Sequence, residues 1–191
     1  RILRLTHMRI GNENYATINN TYGICTLEKK HVTLKNKMVI FRFIGKKGVK
    51  HKIICKDSIC IKFIKDLLKI DGKRLFQYQL RNNVYQLVSA LDLNNYLQKN
   101  IGKEFTCKDF RTYASNILFL EIICKLPVPT TEGEKKTNLI ETYDKVAEKM
   151  GHTRAISKKS YIMPLINDKY MKSPRVFYNQ PPRKLLLKFL K

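Results

Sequence analysis

Acidic residues are scarce in this sequence. Fifteen Asp and Glu stand against 38 Lys and Arg, which gives a formal net charge of +23. Such an excess of cations favours a polyanionic partner, because displacing condensed counterions from nucleic acid provides a large, salt-dependent driving force. An anionic membrane is the alternative, but the cations are spread along the chain among Tyr and Phe rather than gathered on one amphipathic helix. The charge therefore predicts a nucleic-acid partner.

Long hydrophobic runs are also missing. The longest, around Ile122 and Ile123, is far shorter than a membrane span, and no signal peptide is visible. A hydrophobic content of 43% and a mean hydropathy of -0.34 are typical of a soluble globular protein, and 191 residues can bury one core. We expect a soluble intracellular protein that binds no membrane. The chain starts at Arg1 within a predicted helix and without Met, so we also expect a fragment of a longer protein.

Paired cysteines are a third absence. The cysteines are odd in number, form no Cys-x-x-Cys pair and mostly lie in apolar or strand-like stretches, which predicts buried, reduced thiols. A zinc site would need a fourth ligand at matched spacing, and the scattered His7, His31 and His51 offer none. The sequence therefore predicts neither a metal site nor a cofactor. The cysteines are Cys25, Cys55, Cys60, Cys107 and Cys124.

A small antiparallel sheet is predicted near the start of the chain. A helix over residues 1–10 should stop near Gly11-Asn12. Four short runs with strand character follow, separated by turns rich in Lys, Asn and Gly. Gly45 and Gly48 bracket the hairpin that joins the last two runs. The runs are residues 23–27, 31–34, 38–44 and 49–55.

From Asp57 onward the spacing of the apolar residues changes to that of helices. The strongest helix is predicted over residues 106–126. Thr106 and Asp109 there resemble a capping box, with Asp in place of Glu, and Pro127 ends the helix. The other predictions are helices over residues 59–68, 84–101 and 138–150, a polar loop over 130–136, a short helix that carries Tyr161 and is closed by Pro164, and a basic helix over 183–191.

The predicted fold class is therefore α+β, a mostly helical domain with a small antiparallel sheet of three or four strands. We treat residues 1–191 as one such domain. Its parts are a helix end at 1–22, the sheet and its hairpin at 23–56, a helical body at 57–163 and a basic tail at 164–191.

A tyrosine, a histidine, arginines and a lysine are the candidates for chemistry. Cleaving a phosphodiester without metal or nucleotide requires a nucleophile, fixed positive charge around the non-bridging oxygens, and an acid for the leaving oxygen. Guanidinium groups suit the second task, because their planar forks match phosphate oxygens and keep their charge near neutral pH. Tyr161, with His152 nine positions before it, is the candidate nucleophile.

Taken singly, these residues indicate little. Most of the ten tyrosines will simply pack or form hydrogen bonds, and His152 could merely end a helix. Arg111 could be a solvated helix charge, and Lys46 is one lysine among many. Their joint order along the chain is what indicates a common site.

Five motifs in chain order carry a resemblance to a known family. They are Met8-Arg9-Ile10-Gly11 followed by Tyr15; residues 23–27 with Lys30-His31-Val32; residues 39–46; Lys108-Asp109-Phe110-Arg111-Thr112-Tyr113; and Gly151-His152-Thr153 through Ser157-Lys158 to Tyr161. This arrangement resembles the catalytic domain of type IB DNA topoisomerases, in particular the compact poxvirus and giant-virus type, which share a fold with the tyrosine recombinases. The resemblance covers almost the whole chain.

The resemblance implies an ATP-independent isomerase, a DNA topoisomerase of type IB. Tyr161 would attack the scissile phosphate and form a 3′-phosphotyrosyl bond, and Lys46 would protonate the expelled 5′-oxygen. Arg9, Arg111 and His152 would bind the non-bridging oxygens and stabilise the transition state. The free end could then swivel and relax supercoils before religation, which needs neither ATP nor metal.

The same motifs imply contacts with double-stranded DNA, although each of these residues could equally be an ordinary solvated side chain. The residues are Tyr15, Lys108, Asn116, Ser157 and Lys158. Three positions depart from the poxvirus pattern, since Asn12 replaces a base-contacting Lys, Lys47 replaces an Asp, and Ala155 replaces a Ser. Base contacts specify sequence whereas phosphate contacts only position the protein, so no cleavage preference is implied.

The resemblance has implications beyond this chain. It implies a monomer that acts with DNA inside the cell, in a virion or at a site of viral replication. It also implies an N-terminal β-rich domain that closes around the duplex, and first catalytic-domain helices, both preceding the start of this sequence.

Two other functions stay open. A tyrosine recombinase or integrase commonly carries His three positions before the second arginine, whereas Lys108 stands three before Arg111, and Ser157-Lys158 ahead of Tyr161 also favours a topoisomerase. The other alternative is a non-catalytic basic DNA-binding module in which Tyr161 only packs.

Overall fold

A computed structural model describes residues 1–81 and 84–190. The chain divides into two compact units, Arg1–Phe110 and Arg111–Lys191. Each unit has its own apolar core.

The first unit combines short helices with two small sheets. Its helices are α1 (Ile2–Thr6), α2 (Glu13–Asn19), α3 (Ser58–Lys69), α4 (Ala90–Ile101) and the start of α5 (Cys107–Ile123), and its strands are β1 (Val32–Lys35), β2 (Met38–Ile44), β3 (Lys50–Cys55), β4 (Gln77–Gln79) and β5 (Tyr85–Leu87). The α+β class is confirmed, with a three-stranded antiparallel sheet in the order β1-β2-β3 and a separate β4-β5 pair.

The three-stranded sheet has one buried face, and β2 leaves Arg42 and Ile44 exposed on the opposite face, where Ile40 is buried. Val39, Phe41 and Phe43 alternate along β2 and point into the core of the first unit, as the two-residue period of a strand requires. Helix α3 packs on that buried face through Ile64 and Leu67. Asp57 caps α3 by accepting a hydrogen bond from the Cys60 amide at 3.0 Å, which confirms the predicted change to helix after this residue.

The predicted strand over residues 23–27 is wrong. Ile24–Thr26 form a 3-10 turn, because their backbone groups bond to another segment rather than to a strand. The Ile24 amide donates to the Arg9 carbonyl at 2.9 Å, and the Cys25 amide donates to the Ile10 carbonyl at 2.8 Å. The start of the predicted helix over 84–101 is also wrong, since β5 precedes the Ser89 cap from which α4 begins.

The second unit is helical. It contains the rest of α5, then α6 (Glu132–Met150), α7 (Arg154–Ser160), α8 (Pro164–Lys172) and α9 (Pro182–Leu190), with a 3-10 turn at Pro174–Phe177. Its core includes Phe119 and Ile123 of α5, Val146 of α6, Ile166 of α8 and Leu185 of α9, all fully buried. The predicted tail helix over 183–191 is confirmed through Leu190, and Lys191 lies outside the described residues.

Helix caps explain where these helices begin. Thr106 and Asp109 form the predicted capping interaction, with the Thr106 amide and hydroxyl both donating to Asp109 Oδ2 at 2.8 Å. The predicted loop over 130–136 is wrong, because Thr131 and Glu134 form a capping box that starts α6 earlier. Pro164 does not close the short helix but begins α8, where its missing amide costs no helical hydrogen bond.

The cysteines are free thiols. Four are buried and Cys124 is half-buried, as predicted. Burial raises the pKa of Cys25 to about 12 and that of Cys124 to about 11, so these thiols stay protonated and weakly nucleophilic at neutral pH.

None of the helices in the described ranges combines the length and the apolar character that crossing a membrane would require.

The backbone of Gly23 lies against the backbone of Arg9 and Gly11, and this close contact holds the segment around Arg9 in place. A Cβ atom added at Gly23 would lie 2.5 Å from the Gly11 nitrogen and 2.6 Å from the Arg9 carbonyl oxygen. We expect Gly23→Ala to lower the free energy of unfolding by about 1–3 kcal/mol, as overpacking does, measured by urea denaturation. Gly133→Ala in α6 is the control, because its Cβ would meet only Thr131 Oγ1 at 3.8 Å. Equal stability of the two variants would contradict the prediction.

Candidate active site

Helix α5 positions Arg111 in its second turn. The side chain is only 5% exposed, and its Nη2 donates to the Met150 carbonyl at 2.8 Å. Burying a guanidinium is costly unless its donors are satisfied, so this bond fixes the group at the C-terminal end of α6. A cation held in this way needs little rearrangement when charge develops beside it.

His152 lies just beyond the C-terminal end of α6. Gly151 adopts a left-handed conformation with φ 63° and ψ 51°, which a glycine permits and which ends the helix. The His152 amide then donates to the Ala147 carbonyl at 3.0 Å. The imidazole Nδ1 lies 3.3 Å from the Thr153 carbonyl oxygen.

Tyr161 follows directly after α7, which begins at the Thr153 cap. Its ring stacks on the His152 ring, with 4.7 Å between the centroids and an interplanar angle of 7°. The Arg111 guanidinium carbon lies 5.6 Å from the centroid of the Tyr161 ring. Three residues predicted for the site, separated by up to 50 positions along the chain, therefore meet within the second unit.

Arg9 and Lys46 belong to the first unit. Arg9 lies between α1 and α2 on the segment that bonds to Ile24 and Cys25, and its side chain is half-buried. Arg74 links the start of α2 to the 3-10 turn at Ile24–Thr26, since it contacts both Glu13 and the Thr26 carbonyl. Sequence reasoning missed Arg74, because no local pattern connects it with residues so far away in the chain.

Lys46 is exposed in the turn between β2 and β3. The Gly45 amide donates to the Val49 carbonyl at 2.7 Å and closes the hairpin. The absence of a side chain at Gly45 lets the His51 ring lie close to the backbone, because a Cβ atom at this position would lie 2.6 Å from Nε2 of His51. The turn thus presents the Lys46 ammonium on a tightly closed loop, as predicted for this glycine-lysine pair.

A basic groove of about 590 Å³ lies beside the same hairpin. Arg42, Lys50 and Lys52 line it, and so does Lys30, which is paired with Glu28 at 2.7 Å. Arg42 stands directly opposite Lys52 in the antiparallel register, and like charges in that position repel each other. Residues 38–55 contain no Asp or Glu to relieve this repulsion. The groove is therefore suited to an anionic ligand.

The five predicted DNA contacts differ in exposure. Lys108, Lys158 and Tyr15 are exposed, Tyr15 to 54%. Asn116 is buried at 2% exposure and Ser157 at 0%. The Ser157 hydroxyl finds no hydrogen-bond partner within the described part of the chain. The Asn116 side chain, in contrast, donates to the Thr112 and Tyr161 carbonyls and accepts from the Met163 amide. The helical period alone could not tell inward from outward positions in these helices.

Sequence reasoning also missed the ion pair that attaches α7 to α6. Arg154 Nε and Nη2 donate to the two carboxylate oxygens of Asp144, each at 2.6 Å. Hydrogen bonds from Arg154 hold the pKa of Asp144 below its usual value. The pair, about half exposed to solvent, links α6 to the start of the helix that leads to Tyr161.

Comparisons with known proteins identify the family to which the chain belongs. The family model described as eukaryotic DNA topoisomerase I, catalytic core, matches residues 1–174. The chain is 36% identical over 201 residues to DNA topoisomerase 1B of Acanthamoeba polyphaga mimivirus, covering 100% of this chain and 60% of that protein. It is 28% identical over 178 residues to DNA topoisomerase 1B of Vaccinia virus (strain Copenhagen), covering 85% of this chain and 50% of that protein.

A cellular relative is matched over a much smaller share of its own length. DNA topoisomerase 1 of Schizosaccharomyces pombe is 28% identical over 153 residues, covering 79% of this chain and 18% of that protein. The chain thus spans at most 60% of the length of these relatives. Because the family match extends over residues 1–174, the chain belongs to the family of eukaryotic-type DNA topoisomerase I catalytic cores.

Proposed function

We propose that this chain carries the catalytic residues of a type IB DNA topoisomerase acting on double-stranded DNA. The observation that supports this most is the meeting of Arg111, His152 and Tyr161 within the second unit. Family membership and the names of the viral relatives point to the same activity.

In the proposed reaction the Tyr161 oxygen attacks the scissile phosphorus. The bond from phosphorus to the 5′-oxygen breaks as the 3′-phosphotyrosyl bond forms, and the phenol proton passes to water. Lys46 donates a proton to the departing 5′-oxygen, a task that suits an ammonium because it can release a proton when desolvated, whereas a guanidinium cannot. Attack of the same 5′-hydroxyl on the phosphotyrosine reverses every step.

The non-bridging oxygens of the scissile phosphate are held, in this proposal, by Arg111, His152 and Arg9. Arg111 is buried, so its charge acts in a medium of low dielectric constant, where it stabilises a developing anion more strongly than it would in water. Because the phosphotyrosyl bond conserves the energy of the broken strand, religation requires no ATP. Rotation of the free end between the two steps relaxes supercoils of either sign.

The proposal extends to the setting of the reaction. In this proposal the chain acts as a monomer, as the family resemblance implies. The viral relatives favour a place with DNA in a virion or at a site of viral replication. Relaxation of a plasmid that offers no second recombination site separates this activity from that of a tyrosine recombinase, which must pair two duplexes.

The nucleophile is tested with a suicide duplex nicked beside the cleavage point. We expect Tyr161→Phe to abolish the covalent adduct while leaving DNA affinity nearly unchanged, because Phe keeps the ring that stacks on His152 and loses only the attacking oxygen. Denaturing gels measure the adduct. Tyr96→Phe is the matched control, since Tyr96 is 66% exposed on α4. An adduct that persists in Tyr161→Phe would reject Tyr161 as the nucleophile, and the absence of any adduct in the parent would favour a non-catalytic binding module.

The general acid is tested by changing the leaving group. Lys46→Ala should slow cleavage by about 10²–10⁴-fold, and a 5′-bridging phosphorothiolate should restore the rate, since a leaving thiolate needs no proton. Lys47→Ala in the same turn should retain the parental rate on both substrates. If the thiolate substrate fails to rescue Lys46→Ala, Lys46 is not the acid.

The basic groove is tested by the salt dependence of DNA affinity. If Arg42 and Lys52 bind phosphates, replacing both with Gln should lower the slope of log K against log salt by about 0.9 for each phosphate that is no longer neutralised. Fluorescence anisotropy at several salt concentrations measures this slope. Lys62→Gln with Lys65→Gln removes the same charge from α3, which packs on the opposite face of the sheet, and should change the slope less. Equal changes would assign the effect to net charge alone.

A further inference from the structure

The side chain of Arg74 joins two segments that lie 48 and 61 positions before it in the chain. Its Nη1 donates to the Thr26 carbonyl, and its Nη2 donates to the Glu13 carboxylate. A guanidinium carries several donors in a planar fork, so one side chain can hold both acceptors at once. The Arg74 side chain is only 16% exposed, so most of this cation lies inside the first unit.

The backbone of Arg74 is held independently of its side chain. Arg74 forms an isolated antiparallel bridge with Glu28. The next amide, that of Leu75, donates to the Leu27 carbonyl at 2.9 Å. Leu75 and Leu27 are both fully buried in the core of the first unit. The guanidinium therefore extends from a backbone that the core keeps in place.

The two partners of Arg74 belong to the two pieces of chain that determine where Arg9 lies. Glu13 is the first residue of α2, four positions after Arg9. Thr26 is the last residue of the 3-10 turn whose Ile24 amide donates to the Arg9 carbonyl at 2.9 Å. Arg74 thus connects the segment that carries Arg9 to the turn against which this segment packs.

The turn and the Arg9 segment fit together closely. The Gly23 amide donates to Thr26 Oγ1 at 2.9 Å, and a Cβ atom at Gly23 would lie 2.6 Å from the Arg9 carbonyl oxygen. Thr26 itself is 1% exposed. A side chain that holds the Thr26 carbonyl therefore also fixes the backbone that packs against Arg9.

We propose that Arg74 is a positioning residue for the reaction: it ties the start of α2 to the turn at Ile24–Thr26, and so keeps the Arg9 guanidinium in place for the non-bridging oxygens. The inference rests on the proposed function, in which Arg9 binds those oxygens. Arg74 itself is not a phosphate ligand in this proposal, because its charge is paired with Glu13 and mostly buried.

The test uses Arg74→Ala in the complete chain, with single-turnover cleavage measured at saturating suicide duplex. We expect the cleavage rate to fall by about 100-fold, the effect of displacing a catalytic group by about 1 Å. The Kd for DNA and its dependence on salt should stay at the parental values. Weaker binding with a parental rate at saturating DNA would make Arg74 a DNA contact and overturn the proposal.

Lys29→Ala is the matched control. Lys29 also lies in the first unit, and its Nζ donates to the Ile70 carbonyl at the end of α3. Its replacement removes one charge and one long-range bond to a backbone carbonyl, but neither belongs to the Arg9 segment. The parental cleavage rate should be retained. If Lys29→Ala and Arg74→Ala lose the same factor in rate, general destabilisation accounts for the effect and the positioning role is rejected.

A double-mutant cycle separates action through Arg9 from an independent effect. Arg9→Ala should be slow by itself, and adding Arg74→Ala should then cause no further loss, because the group that Arg74 positions is gone. Two losses that multiply would show independent sites and would overturn the proposal. A parental rate in Arg9→Ala would instead remove Arg9 from the proposed function, and the absence of any adduct in the parent would reject that function itself.

Amide hydrogen exchange measures the position of the segment without any catalysis. The Ile24 amide bonds to the Arg9 carbonyl, so it should exchange faster in Arg74→Ala than in the parent. The Gly45 amide, which bonds to the Val49 carbonyl in the turn between β2 and β3, should exchange at the parental rate. Unchanged protection of Ile24 in the variant would show that Arg74 does not hold this segment.

Glu13→Ala provides the same test if Arg74→Ala does not fold. The Glu13 side chain is 58% exposed, so its removal leaves the core of the first unit intact and releases only one of the two partners of Arg74. We expect the cleavage rate to fall by a smaller factor than in Arg74→Ala, with faster exchange at Ile24. Parental values of both quantities would contradict the proposal.

Discussion

The bond between the Arg111 guanidinium and the Met150 carbonyl is the interaction on which the candidate site depends. It joins the start of one long helix to the end of another, and it places a permanent cation where α6 stops and His152 begins. A buried guanidinium left without acceptors would cost several kcal/mol, so the position of the cation and the turn at Gly151 stabilise each other. The stacking of His152 on Tyr161 completes the same cluster.

The two units contribute different physical features to the proposed reaction. The second unit holds the buried Arg111 guanidinium beside two half-buried rings, those of His152 and Tyr161, and electrostatic stabilisation of a transition state requires groups that are held in place in this way. The first unit carries its cations on an exposed hairpin and groove, where Arg42 and Lys52 repel each other until an anion lies nearby. The chain has 38 basic and 15 acidic residues. Part of this excess positive charge is concentrated on one hairpin whose residues include no carboxylate.

Local signals in the sequence predicted the elements whose ends are determined locally. The capping pair Thr106 and Asp109 and the turn after Gly45 are examples, since each depends on residues a few positions apart. The predictions failed where a distant segment decided the outcome. Residues 23–27 have strand character in the sequence, yet the Ile24 and Cys25 amides bond to the carbonyls of Arg9 and Ile10, so these residues form a turn against that segment.

The sequence by itself determined which chemical groups are available, their order along the chain, the strong positive charge and the caps that start α3 and α5. Only the tertiary structure decided which of these groups meet and which way they face. Lys158 and Ser157 are neighbours in α7, but one is exposed and the other fully buried. Asn116 likewise faces the backbone beyond Tyr161. The side of a helix that is covered depends on the packing of neighbouring helices, and that information is not local to any motif.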